Sequence, residues 1–170
     1  MHPPYGFAPT RPTKPPAITT VVLMEALAIV FCLVETAVGL YIMVKTLSQP
    51  GDPTSLVVMT CVDAGINVLL VVGLGAAAIL LHQGRPAGRI LSWVTCIGYT
   101  VARCGCGGFS SLMGILYRSG EIERSDFNFG PSVWYVLGAL ELVAIALAIV
   151  IVVVLLTRPV RQYFTALRQA

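Results

Sequence analysis

The chain has 170 residues, 56% of them hydrophobic and 11% charged, with a formal net charge of +3 and a mean hydropathy of +0.84. A water-soluble domain of this length cannot bury so much apolar surface, so the composition excludes an ordinary soluble globule and requires contact with lipid. The basic residues are scattered instead of gathered into a run, which speaks against a nucleic-acid-binding surface.

Residues 1–17 carry Pro3, Pro4, Pro9, Pro12, Pro15 and Pro16, a density that removes backbone donors and favours solvated polyproline II over a packed element. This stretch reads as a disordered cytoplasmic tail. Pro9, Pro12 and Pro15 recur every third residue with Arg11 and Lys14 between them, the form of an SH3-type ligand, so recognition stands as an alternative to a plain tail. No cleaved signal peptide is expected, because the apolar segment after the leader is too long for a signal core and no cleavage site follows it.

Four stretches are long enough to cross a bilayer core, which asks for about 20 apolar residues each. They place transmembrane helices at about 18–44, 56–81, 90–116 and 133–156. Pro50, Gly51, Asp52 and Pro53 separate the first pair, and Gly84 to Gly88 the second. Both separators have turn chemistry. Arg11, Lys14, Arg85, Arg89, Arg158, Arg161 and Arg168 fall on one side of the membrane, and Lys45, Arg118 and Arg124 on the other, so the first side is expected to be cytoplasmic. The outer side also collects Glu121, Glu123 and Asp126, with Tyr41, Tyr117, Trp134 and Tyr135 as interfacial aromatics. The expected fold is therefore all-α, a four-transmembrane-helix bundle over 18–157 with both termini cytoplasmic. Residues 158–170 form an amphipathic tail, in which Val160, Tyr163, Phe164 and Leu167 share a face that is expected to anchor the chain at anionic lipid.

Ionisable groups inside a bilayer each need a partner or a wet cavity. Glu25 and Glu35 lie on the first helix, Asp63 on the second, Arg103 on the third and Glu141 on the fourth. At a rise of about 1.5 Å per residue, Glu35, Asp63 and Glu141 sit roughly 10 to 15 Å below the outer helix ends, and Arg103 about 20 Å above Arg89. Each helix thus sends one charged group to a shared depth. Asn67, one turn from Asp63, and the small residues Gly138, Ala144 and Ala148 near Glu141 fit an inward-facing layer, which Glu25 can join nearer the cytoplasm. Three carboxylates against one guanidinium cannot all be ionised cheaply, so at least one is expected to hold a proton. Two readings follow: a network that fixes helix register, or a site for protons or a small cation.

The third helix is interrupted by Arg103, Cys104, Gly105, Cys106, Gly107 and Gly108, where a kink or break is expected. Cys32, Cys61, Cys104 and Cys106 are weak candidates as soft metal ligands, since a C-x-C pair on a helix points its thiols apart and no C-x-x-C accompanies it. No metal site, cofactor or disulfide framework is expected from five dispersed cysteines. There is no phosphate-binding glycine loop and no nucleophile beside a base; His82 reads as an interfacial residue, and no enzymatic activity is expected.

A proline-rich leader with P-P-Y-G at Pro3 to Gly6, four helices, and G-R-P-A-G-R-I-L-S-W from Gly84 to Trp93 together resemble small uncharacterised membrane proteins of actinobacterial type. That resemblance covers layout and implies a multi-pass cell-membrane location. The functional expectation is a structural or accessory component of a membrane complex, with the lipid bilayer and a membrane-protein partner or a second copy as partners. Small-residue faces such as Gly98 with Ala102 and Gly73 with Ala77 suit either such association or packing within the chain. The alternative is a small proton-coupled or cation transporter built on the buried charges.

Overall fold

The computed structural model describes residues 13–47, 54–106 and 131–169. Among these residues the fold is all-helical, comprising α1 (Pro16–Leu47), α2 (Thr54–His82), α3 (Pro86–Cys106), α4 (Pro131–Leu156) and α5 (Arg158–Gln169), with no strand. Three helices have the length and composition to cross a membrane: α1 over 30 residues, α2 over 23 and α4 over 22. Their outward side chains are large and apolar; Leu69 is 73% and Leu142 65% exposed, which suits acyl chains and not water.

Helix starts follow proline. Pro16 and Pro86 open α1 and α3 two and four residues earlier than hydropathy suggested, because a first-turn proline has its φ preset and no donor to waste. At 21 residues, α3 is about 30 Å long before Cys106. It runs unbroken through Arg103 to Cys106, so the expected interruption does not begin at Arg103. Gly107, Gly108, the expected continuation to Leu116, the acidic outer loop and the Pro50–Pro53 turn lie outside the described residues.

Packing follows a heptad-like beat. On α1 the inward positions are Ile18, Val21, Glu25, Ala28, Cys32, Glu35 and Ile42; on α4 they are Leu137, Glu141, Ala144, Ala148, Ile151 and Leu155. Steps of three and four keep one seam facing a neighbour. On α2 the corresponding seam is Asn67, Leu70, Leu74, Ala77 and Leu81, and on α3 it is Ser92, Cys96, Tyr99 and Arg103. Helices α1 and α3 each pack on both α2 and α4, so α1 and α3 face each other across the interior.

Gly88 brings the α2 and α3 backbones close together beside the turn: a Cβ there would stand 2.6 Å from the Leu81 nitrogen. The turn between them is a Schellman closure, in which the amide of Arg85 donates to Leu80 O at 2.9 Å and that of Gly84 to Leu81 O at 3.0 Å. Gly84 has φ of 76°, the left-handed conformation this closure requires. Lys14 donates to His82 O at 3.0 Å, setting a cation at the negative end of α2 and fixing the start of α1 beside it. One end of the assembly therefore gathers Lys14, Arg85, Arg89, Arg158 and Arg161.

Helix α5 packs its apolar residues on the other helices and not only toward a surface. Its apolar face turns onto protein: Val160, Tyr163 and Phe164 are buried in the same core as Ile18, Val21, Leu81 and Leu155. It folds across the basic end of the other helices against α1 and α4, leaving Arg158 and Arg161 exposed.

Candidate functional site: a buried arginine network

The sequence-marked charges converge. Arg103, 1% exposed, ion-pairs through Nη2 with Glu35 Oε1 at 2.9 Å and through Nη1 with Asp63 Oδ1 at 3.1 Å. Its Nη2 also donates to Asn67 Oδ1 at 2.8 Å, and Glu141 Oε1 lies 3.9 Å from Nη1. One guanidinium therefore reaches groups on α1, α2 and α4 at once, using the planar fork that lysine lacks.

Two of the partners, Glu35 and Asn67, are held from behind. Asn67 spends its amide donors on Thr36 Oγ1 at 3.1 Å and Glu35 Oε2 at 3.5 Å. Thr36 in turn donates to the Cys32 carbonyl at 2.8 Å. The Tyr99 ring lies one turn below Arg103 on α3, with the guanidinium carbon 5.4 Å from its centroid. Glu35 and Glu141 are almost wholly enclosed, whereas the Asp63 side chain is 33% exposed. The second oxygen of Glu141 is buried without a hydrogen-bond partner. Formal charge is thus three carboxylates to one cation.

Glu25 does not join this layer. It is completely buried nearer the basic end, where Ser92 donates to its Oε1 at 2.5 Å; its Oε2 has no partner. Ser92 lies eleven residues before Arg103, three turns on one face, so α3 presents a polar group to α1 at two levels about 16 Å apart. Both contacts cross the interior diagonal.

Ser92, Thr36 and Tyr99 were not singled out from sequence. Ser92 and Tyr99 were legible in principle through their spacing from Arg103 on the α3 seam; Thr36 carried no such signal. The four described cysteine side chains do not gather at one site: Cys32 and Cys96 face the core and Cys61 and Cys104 face outward, while the Cys106 side chain lies outside the described residues. Among the described residues no set of three or more His, Cys, Asp or Glu side chains is placed to hold a metal ion. His82 ends α2 exposed.

Compared with known proteins, the chain matches no family model, no curated protein and no solved structure. What the described residues define is a helical membrane protein, and it carries an arginine–carboxylate network buried on the helix seams.

Proposed function

We propose that the chain is a four-span protein of the cell membrane, with α3 as the fourth span and both termini cytoplasmic, and that it serves as a structural or accessory component of a membrane complex. The observation that carries this reading is the tethering of α1, α2 and α4 by the single buried guanidinium of Arg103. Such a contact set locks helix order and register, a use to which buried polar groups are put in other helical assemblies. The length of α3, equal to the hydrocarbon thickness at about 30 Å, supports its role as a span despite its polar seam. The concentration of Lys14, Arg85, Arg89, Arg158 and Arg161 at one end supports a cytoplasmic assignment for that end. A cysteine introduced at Gln83 in a cysteine-free background should resist an impermeant maleimide on intact cells. Labelling from outside would reverse the topology.

A second reading is favoured by the charge surplus, the exposure of Asp63 and the unpartnered oxygen of Glu141: a small proton-coupled or cation transporter. Purified protein in liposomes separates the two. For a structural component, folded protein passes no protons or monovalent cations, and cross-linking in native membranes captures a discrete partner or a second copy. Flux that disappears in Glu141→Gln, with the fold intact by circular dichroism, would instead establish transport.

A further inference from the structure

Glu25 has no exposed surface, and among the described residues it has no ion pair. Its one polar contact there is Ser92 Oγ, 2.5 Å from Oε1, while Oε2 is enclosed without a partner. An ionised carboxylate presents about four lone-pair sites, and a single hydroxyl hydrogen leaves most of them bare in apolar surroundings. Those surroundings come from the other helices. Ten residues from Glu35, Asn67 and Glu141 along their helices lead to Glu25, Ala77 and Ile151, so buried apolar positions of α2 and α4 share the level of Glu25. Leu74 and Ala148 adjoin them on the same seams, and α5 adds Val160 and Phe164 toward the basic end. From α3 come Ser92 and, one turn further, Cys96, a titratable neighbour whose buried thiol brings no positive charge. Arg89, three residues before Ser92, is stacked on the Trp93 ring.

Counting hydrogens shows what this contact can do. The Ser92 hydroxyl has one hydrogen, yet its Oγ lies within reach of two acceptors, Glu25 Oε1 and the Gly88 carbonyl at 3.0 Å. With Glu25 ionised, Ser92 donates to Oε1 and gives up Gly88. With Glu25 protonated, Ser92 donates back to Gly88 O, as helix serines do, and its lone pair accepts the carboxyl hydrogen. Both contacts are then filled and no heavy atom has moved. We propose that Glu25 and Ser92 form a proton-binding site, in which Glu25 is a neutral carboxylic acid at neutral pH, donating through Oε1 to Ser92 Oγ. The hydroxyl reverses direction when the proton leaves. In the Arg103 layer, about 15 Å away along α1, a guanidinium compensates the carboxylates; here a bound proton does that work. The site is independent of whether the bundle is structural or transports ions.

The test is infrared spectroscopy of the purified full chain in lipid, equilibrated at neutral pH. Subtracting the spectrum of Glu25→Gln, the neutral isostere, separates this carboxyl from those of the Arg103 layer. The difference should hold the carbonyl band of one protonated acid and no band of an ionised carboxylate. Ser92→Ala removes the acceptor and should move that band to higher frequency; subtracting it from wild type finds the same band with Glu25 intact, whether or not the Gln variant folds. Reversible unfolding gives a second readout. The unfolded chain releases this proton in the ordinary carboxylate range and the folded chain keeps it, so the contribution of Glu25 to stability falls as pH rises above that range. Relative to Glu25→Gln, the unfolding constant of wild type should rise about tenfold per pH unit between about pH 5 and about pH 7. An ionised-carboxylate band at neutral pH, or parallel pH profiles for the two proteins, would overturn the proton site. A band indifferent to Ser92→Ala would overturn the part given to Ser92.

Discussion

Replacing Arg103 by methionine keeps an unbranched side chain on α3 and deletes the cation to which three helices are tied. The change removes contacts at 2.9 Å to Glu35, 3.1 Å to Asp63 and 2.8 Å to Asn67, and strips the counter-charge from Glu141. Asp63 is a third exposed and recovers solvation, so the cost falls on Glu35 and Glu141, which are enclosed. Breaking a buried pair by removing one partner costs about 3–5 kcal/mol, most of it from the charge left behind. Arg103→Met should therefore lose about that much in reversible unfolding with dodecyl sulfate in mixed micelles. The triple variant Arg103→Met, Glu35→Gln, Glu141→Gln should regain about half of it or more, since no stranded carboxylate remains in the enclosed layer. A single variant within about 1 kcal/mol of wild type, or a triple variant no more stable than the single, would refute the idea that these charges are coupled.

Gly88→Ala should destabilise by about 1–3 kcal/mol in the same assay, because its Cβ would meet the backbone of Leu80 and Leu81 at 2.6–2.9 Å. Gly98→Ala, with nothing within 4 Å, should be neutral or stabilising by up to about 1 kcal/mol. Ser92→Ala removes the hydrogen bond to the buried Glu25 and should cost about 1–3 kcal/mol, with a smaller penalty when Glu25→Gln is already present. In micelles a small maleimide should modify Cys61 and Cys104 readily and reach Cys32 and Cys96 only on unfolding, which mass spectrometry of peptides resolves.

Hydropathy marks the long helices but hardly shows which way they face. On α1, α2 and α4 lipid-facing and inward positions are both apolar, so Leu23 and Val21 look alike in sequence although one is exposed and the other fully buried. The inward side is betrayed by residues that lipid would reject. Glu25, Glu35, Asn67, Arg103 and Glu141 all fall on the seams, and small residues such as Ala28, Ala77 and Ala148 share them. Depth arithmetic from a fixed rise per residue was enough to place Glu35, Asp63 and Glu141 at the level of Arg103. Two things were hidden. Thr36 is an ordinary residue in an apolar helix until a partner helix arrives, and the pairing of Glu25 with Ser92 depends on α1 and α3 lying opposite each other. The destination of the α5 apolar face was also unreadable, because an amphipathic pattern is the same whether lipid or protein covers it.

A Cβ at Gly84 would lie 3.1 Å from the Tyr163 hydroxyl and 3.6 Å from Leu167, so the α2–α3 turn is roofed by a segment some eighty residues downstream. That roof is translated after every other described helix, and it has nothing to cover until the hairpin beneath it has closed. Docking of α5 is consequently a late, long-range step in maturation, and until it occurs the underside of the hairpin stays open to chaperones, proteases and neighbouring chains.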